Sequence, residues 1–416
     1  MMAARSKVAI VGAGIVGIST AIWLQRSGHD VVVIDRLGVA EGASFGNGGV
    51  LASCSVLPVT MPGLLKKAPG MLFSPDQPLF LKWGYLPRFA PWLLRYLGHA
   101  NATDARRRAE ALLPIIGTSL EDHQQLAAGT GAERWIAPSD YLFLYNDRHH
   151  FGGDAFGWGI RRDLGFTWDV LEGQAFRDYD PAFGPELTCA VRLGGHGMIR
   201  DPGRYIKALA AHMEAQGGRF IKADVTDFVR ENGAVTGVRA GGETISADAV
   251  VVATGAWSRG LAAKLGLNVP IETERGYHLE LWEPNIIPRS PVMIASGKFV
   301  ATPMEGRIRL AGIVEFGGFE AAPSEAPFRL LESNIRKAIP GIAWKEAKRW
   351  MGHRPSVADS IPVIGAVPGL RGAWVGFGHD HIGLTGGPRT GWILSQMISG
   401  QKMNIEYGAC SPDRFR

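Results

Sequence analysis

Lys7-Val-Ala-Ile-Val-Gly12-Ala-Gly14-Ile-Val-Gly17, continued through Val31-Val-Val-Ile-Asp35, decides the fold. The apolar run from Lys7 to Gly12 predicts a buried parallel strand, residues 15–28 a helix stopped by Gly28, and Val31–Asp35 a second strand. That is a βαβ unit with GxGxxG between its first strand and its helix. Gly12 permits the tight turn, Gly14 lets the backbone approach a pyrophosphate, and Gly17 lets the helix pack closely on the strand. Ile15 and Val16 open the helix, whose N–H groups and positive dipole end suit phosphates. Asp35, with Arg36 beside it, ends the second strand where ribose hydroxyls are expected. The pattern reads as a dinucleotide site and leaves FAD and NAD both open.

The rest of the composition fits an ordinary folded protein. A chain of 416 residues, 46% hydrophobic and 20% charged, predicts two domains. Its 55 glycines point to many tight turns and close backbone approaches. The net charge of +5 permits a nucleic-acid partner, but no dense basic block with interleaved aromatics is present. Arg106-Arg107-Arg108, flanked by Asp104 and Glu110, reads as a solvated helix face. Cys54, Cys189 and Cys410 form no CxxC pair and no metal spacing, so they read as small buried residues in a reducing compartment. Arg5 and Lys7 before the apolar run Val8–Leu24 imitate a signal peptide, yet the patterned glycines and missing cleavage site argue against export. The expectation is a cytoplasmic protein, with peripheral contact on the inner membrane left open.

Further along, residues 56–100 hold seven prolines among bulky apolar residues, which interrupts regular structure. Residues 104–128 predict one helix. Asp201-Pro202 predicts an N-cap and first helical position, with the helix closed at Gly217-Gly218. Short strands are expected at Arg219–Asp224, Val235–Ala240 and Ala249–Ala253, and antiparallel strands over 270–315. Residues 372–400 predict a strand, a glycine-rich loop, then a helix from about Pro388.

Three further segments choose the cofactor. Ser44-Phe45-Gly46-Asn47-Gly48-Gly49 is a second small-residue loop soon after Asp35. Ala253-Thr254-Gly255-Ala256-Trp257 ends an apolar strand. Gly352-His-Arg354-Pro leads to Asp359-Ser-Ile-Pro-Val-Ile-Gly365 and then to Gly378-His379-Asp-His381-Ile382-Gly383-Leu384-Thr385. Together these resemble the D-amino-acid oxidase/dehydrogenase superfamily, whose members include glycine oxidase, sarcosine oxidase and bacterial D-amino-acid dehydrogenase.

The resemblance implies an α/β (α+β) protein: a Rossmann-like FAD-binding domain plus a substrate domain with a mixed, largely antiparallel sheet. The expected division is 1–55, 200–262 and 346–416 for FAD, and 56–199 and 263–345 for substrate. It implies that Ser44, Asn47, Gly48 and Gly49 run along the flavin, with Thr254, Gly255 and Trp257 near it. Val225 would hold adenine through its backbone. Gly378, His381, Ile382, Gly383, Leu384 and Thr385 would face the flavin edge where charge develops on reduction. No His or Cys stands where some relatives attach FAD, so non-covalent FAD is expected. Arg354 matches the arginine that clamps a substrate carboxylate, since guanidinium bonds both oxygens. Arg275 is the fallback for that role. Tyr277 or His278 would bond substrate or wall the site, one of His379 and His381 would face the flavin, and Glu315 is a lesser candidate for amine contact.

The implied activity is oxidation of a small amino acid or secondary amine at its C–N bond, by hydride transfer to flavin N5. A D-amino-acid dehydrogenase passing electrons to a quinone or other acceptor is favoured. An apolar stretch in 56–100 (Leu64, Leu65, Met71, Leu72, Phe73, Phe80, Trp83, Trp92, Leu93, Leu94) resembles the insertion of such dehydrogenases. Its flanking cations, Lys66, Lys67, Lys82, Arg88 and Arg95, suit shallow contact with an anionic membrane surface. A glycine/sarcosine-type oxidase making hydrogen peroxide, using oxygen as acceptor, and a hydroxyproline-type imino-acid dehydrogenase are alternatives. A flavin module acting on tRNA and an NAD-dependent dehydrogenase are remoter ones.

Overall fold

Strand Lys7–Val11 runs parallel to Asp30–Asp35 on one side and to Ala249–Val252 on the other. A computed structural model describes residues 5–63 and 79–416. Among them, six strands form this sheet in the order Val363–Ala366, Ala373–Phe377, Ala249–Val252, Lys7–Val11, Asp30–Asp35, Arg219–Lys222. All pairs are parallel except the first. Alternate residues of the central strands enter different cores. Val8, Ile10, Val31 and Val251 pack under helices Ile15–Arg26, Pro202–Ala215 and Gly383–Ile398. Ala9, Val11, Val32 and Val250 pack toward the antiparallel strands Val225–Glu231 and Ala234–Ala240. Covering on both faces explains the continuous apolar runs.

The second sheet is mixed and mostly antiparallel. Its long strands Glu346–Val357, Ile271–Trp282 and Arg307–Phe316 lie side by side, and it continues through Phe299–Met304, Val292–Ile294, Ile136–Tyr145 and Cys189–Ile199 to the short strand Val50–Leu51. Val292–Ile294 pairs in parallel with Leu142–Leu144. Helix Glu325–Ala338 covers one face through Phe328, Leu331 and Ile335. Both sheets together make the expected α/β architecture.

Three local expectations need correction. Residues 104–128 form two helices, Ala102–Ile116 and Ser119–Ala127, divided at Gly117, a poor helix former. Within the first, Arg106 and Arg107 are exposed on Asp163 and Asp104, but Arg108 is fully buried and donates to Thr60 Oγ1 at 2.5 Å. The C-terminal helix begins at Gly383, so Pro388 lies inside it. Asp201 does cap its helix, its Oδ1 accepting the Arg204 N–H at 2.9 Å. Leu64, Leu65, Lys66, Lys67, Met71, Leu72 and Phe73 lie outside the described residues.

Candidate active site

A cavity of about 1110 Å³ runs from the glycine-rich turn to the second sheet. Gly12 has φ +113°, and a Cβ there would meet the Ala253 carbonyl oxygen at 2.3 Å. A Cβ on Gly17 would lie 1.9 Å from the Gly12 carbonyl oxygen, so helix and strand are in backbone contact. Gly14, Ile15 and Val16 line the cavity. Asp35 does more than await a ribose: Oδ2 accepts the Ala13 N–H at 3.0 Å, and Oδ1 accepts those of Leu37 and Gly38 at 2.8 and 3.1 Å. Arg36 lies 4.4 Å over the Trp257 ring. Val225, Thr254, Gly255 and Trp257 share this end of the cavity.

Loop 44–49 forms the next wall. Ser44 Oγ accepts the Ile15 N–H at 3.0 Å, tying the loop to the helix start. Asn47 Oδ1 accepts the Gly49 N–H at 2.9 Å, and Thr302 Oγ1 donates to the Gly48 carbonyl at 2.6 Å. Ser44, Asn47 and Gly48 line the cavity. Gly17, Gly49 and Gly378 support the walls from behind without lining them. Arg309 Nη1 donates to the carbonyls of Phe45 and Asn47 at 2.8 and 2.6 Å. Arg309 and Arg307 converge on Glu280, with Arg307 reaching on to Asp201. Burial opposes ionisation of Glu280, but the two guanidiniums overcome it and hold its pKa at about 2. Sequence reasoning missed this ion cluster. Its signal was the alternation of Arg307 and Arg309 with Ile308 and Leu310, which puts two cations on one face of a buried strand.

His278 belongs to the same scaffold. Its Nδ1–H donates to the Gly46 carbonyl at 3.1 Å, and its ring stacks on Trp350 at 4.9 Å. Burial, then the Arg309 charge, lowers its pKa to about 3. It is neutral and held behind Trp350, outside the cavity lining.

The C-terminal segment adds a further wall to the cavity, tied to the end of loop 44–49 by Thr385 Oγ1 donating to the Val50 carbonyl at 3.4 Å. His381, Ile382, Gly383, Leu384 and Thr385 line it at the start of helix Gly383–Ile398. His381 is open to the cavity, whereas His379 is 3% exposed and fixed by Thr390. The Thr390 hydroxyl hydrogen goes to the Gly386 carbonyl at 2.9 Å, so His379 Nε2–H is the donor to Thr390 Oγ1 at 2.8 Å. Burial lowers both imidazoles to about 4, with Arg354 adding to the effect on His381.

Arg354 occupies the substrate end. It stands directly across the strand pair from Glu274, and its guanidinium fills the space over Gly276, where a Cβ would meet Nε at 2.6 Å. Among the described residues it takes no hydrogen bond or close ion pair. Burial lowers its pKa, opposed at longer range by Glu274 and Asp380. A strand's period of two sends the neighbouring side chains the other way. Tyr277 Oη donates to Glu315 Oε2 at 2.6 Å and accepts the Ser324 N–H at 3.0 Å. Arg275 Nη1 lies 2.8 Å from the same Glu315 oxygen, and Nη2 donates to the Ala321 carbonyl at 2.7 Å. Tyr277, Arg275 and Glu315 thus form a buried network, joined at 3.9 Å by the partly exposed Lys82, that lies outside the cavity lining. Glu274, Asp380 and Tyr96, which sequence reasoning passed over, do line it.

The residues present fit a flavin dinucleotide. Gly14 offers an open backbone for pyrophosphate, since a Cβ there would approach only Ser44 Oγ, at 3.0 Å. Asp35 and Arg36 stand at the ribose end, and residues of loop 44–49 and of 381–385 line the space where a ring system would lie. Fold and cavity together define an FAD-dependent oxidoreductase. The chain belongs to the DAO family of FAD dependent oxidoreductases, whose model matches residues 7–397; the NAD reading is thereby set aside. It is 37% identical over 416 residues to a D-amino-acid oxidase of Bradyrhizobium diazoefficiens, covering 98% of each chain. It is 30% identical over 418 residues to a D-amino acid dehydrogenase of Paramagnetospirillum magneticum, covering 98% of this chain and 99% of the relative. Among solved structures, glycine oxidase from Geobacillus kaustophilus superposes with a TM-score of 0.73 at 21% identity, covering 98% of each chain. L-proline dehydrogenase from P. horikoshii gives 0.76 at 20%, covering 99% of this chain and 98% of that one.

Proposed function

We propose that the protein oxidises a small amino acid, in the D configuration, at its C–N bond. The carrying observation is Arg354, a guanidinium on the cavity wall that, among the described residues, takes no hydrogen bond or close ion pair. A guanidinium so placed suits a substrate carboxylate held by two charge-assisted bonds. The relatives named D-amino-acid oxidase and D-amino acid dehydrogenase support the D configuration. FAD, when bound, supplies the hydride acceptor for the substrate Cα–H. The chain's part is to fix the carboxylate at Arg354, orient the Cα–H toward the ring between the two loops, and exclude water. His381 walls that space as a neutral imidazole. We take FAD to be held non-covalently, since none of the three cysteines lines the cavity and loop 44–49 carries no histidine.

We divide the chain as the strand membership of the six-stranded sheet supports: residues 1–55, 200–262 and 346–416 bind FAD, and 56–199 with 263–345 bind substrate. Helices Ala102–Ile116 and Ser119–Ala127 reach across to pack on Gly383–Ile398, and strand Glu346–Val357 extends into the second sheet. Electrons then pass to a quinone or other acceptor in the dehydrogenase reading. Trp83 and Leu94, 53% and 72% exposed, and the exposed Arg88 and Arg95 support an apolar, cationic docking surface. Phe89 and Trp92 instead pack on Phe316 at 4.3 and 5.7 Å, roofing the substrate end. The oxidase reading is favoured by the name of the 37% identical relative. A panel of D-, L- and N-methyl amino acids tests the function through dye reduction, with peroxide assayed in air. No turnover with any amino acid refutes it, and fast peroxide formation selects the oxidase.

A further inference from the structure

Two carboxyl groups share the substrate end of the cavity with Arg354. Glu274 faces it across the strand pair, where side chains begin about 5 Å apart. Asp380 is strapped to the same strand. Its N–H donates to the Pro355 carbonyl at 3.0 Å, and its Oδ1 accepts the Val357 N–H at 3.2 Å. It adopts φ +46°, a left-handed conformation that a non-glycine residue holds at a cost. The Ser356 hydroxyl lies beside both acids, and its buried Oγ completes no well-formed hydrogen bond. Neither acid has a role in the reaction as derived so far.

With both acids ionised, one guanidinium faces two carboxylates in a poorly solvated site. Burial pushes both pKa values up, Asp380 well above the usual range; Glu274 raises Asp380 further, while Arg354 draws Glu274 back. Glu272 adds to the rise at Glu274 and Asp359 to that at Asp380. The other groups facing the cluster are Tyr96, whose phenol burial drives upward, the more distant Arg108, and the neutral His381. The resting state that balances is Arg354 charged, one acid ionised and one protonated. A substrate carboxylate arriving at Arg354 then competes with the ionised acid for the one guanidinium and leaves that acid to the substrate ammonium.

Resting on the amino-acid reading above, we propose that Glu274 and Asp380 share one negative charge. At rest it balances Arg354, and once the substrate carboxylate takes Arg354 it accepts the proton of the substrate ammonium. The ammonium N–H bond breaks, its electron pair stays on nitrogen, and an O–H bond forms on the carboxyl group. The bound state then holds one ion pair, Arg354 with the substrate carboxylate, two neutral acids, and a neutral amine whose lone pair can assist departure of the Cα hydride. The acid pair therefore lets the enzyme capture the zwitterion, the abundant form near neutral pH.

Two measurements on the holoenzyme test this. The first uses propionate, a carboxylate without an amine, titrated calorimetrically at pH 8 in buffers of different ionisation heat. Uptake of about one proton per propionate bound is expected in the wild type and none in E274Q/D380N. Binding without proton uptake, or uptake that persists in the double variant, overturns the proposal. The second is the pH profile of kcat/KM for the best amino acid of the panel. The wild type should stay level well below the substrate ammonium's own pKa. The double variant, needing amine already deprotonated, should climb about tenfold per pH unit and approach the wild type at high pH. A loss equal at every pH is a merely structural effect and refutes the acid pair's role. If no amino acid turns over, the function fails, yet the propionate titration still decides the charge exchange.

Discussion

His123 donates its Nε2–H to the Leu384 carbonyl oxygen at 2.9 Å, the acceptor that Pro388, lacking an N–H, leaves unused four residues on. Its Nδ1 accepts from Tyr205 Oη at 2.9 Å. Ser119 Oγ donates to the Thr385 carbonyl at 2.8 Å beside it. A proline one turn into the helix is thus tolerated because a neighbouring helix supplies the missing donor, and the start of that helix is the cavity wall.

Replacing His123 by Phe keeps the volume and removes the donor. The orphaned carbonyl should cost about 1–3 kcal/mol of stability. FAD affinity should fall with it, because Leu384 and Thr385 line the cavity. Denaturant unfolding and FAD titration of the apoprotein check both; unchanged values in both would show the tie to be incidental.

Stability should fall on mild acidification. His278, His123 and His379 are held at about 3, 4 and 4, below the ordinary 6.5. Between pH 6.5 and 4 the unfolded chain binds protons that the folded one refuses, so their contribution is complete above 6.5 and lost as pH drops. Glu280, held at about 2 against an ordinary 4.5, adds stability present above 4.5 and lost toward 2. The melting temperature should decline from pH 6.5 and steepen below 4.5, and Glu280→Gln should remove the steepening. A flat melting temperature from pH 6.5 to 5 contradicts the buried neutral histidines.

Asp35→Ala should weaken FAD binding about 10- to 100-fold, since charge-assisted hydrogen bonds are worth about 1.5–3 kcal/mol. Part of that loss comes from the Ala13, Leu37 and Gly38 amides it leaves without their acceptor. Asp35→Asn keeps acceptor oxygen and should lose less. Equilibrium titration with FAD reads the difference, and equal losses would assign the effect to charge alone.

Arg354→Ala should lower kcat/KM by about 2–4 kcal/mol with FAD still bound, extrapolating from hydrogen bonds to charged groups. Arg354→Lys should recover little, because a point charge cannot bond two carboxylate oxygens in one plane. Normal turnover in the alanine variant would move the carboxylate elsewhere. It would not move it to Arg275, which Glu315 and Ala321 already hold.

Membrane contact predicts sedimentation with anionic liposomes, weakened by salt and by removing the charges of Arg88 and Arg95. Absence of sedimentation at low salt, together with rapid peroxide production in air, would refute the docking surface.

What the sequence made legible was backbone constraint. Gly12 and Gly17 are required by contacts of 2.3 and 1.9 Å that exclude any side chain, so their spacing carries the fold. Arg354 could be placed on the cavity wall from sequence because it lies within a contiguous motif, and its role there is the proposal above. Tyr277 was placed at the site from its neighbours, but strand alternation turns it toward Phe328, and only the phase of the strand decides that. Arg108 looked solvated because a run of arginines hides which one faces inward. Glu274 and Asp380 lie 106 residues apart, and nothing local shows that they meet at Arg354.

The order of strands in the first sheet also governs when the protein becomes competent. Lys7–Val11 is flanked by Ala249–Val252, itself flanked by Ala373–Phe377. During synthesis the amino-terminal βαβ unit must wait for segments made hundreds of residues later, with its apolar faces uncovered meanwhile. The cavity wall at residues 381–385 follows every strand of that sheet in chain order. The cofactor cavity is therefore complete only once residues 381–385 have joined walls made far earlier in the chain.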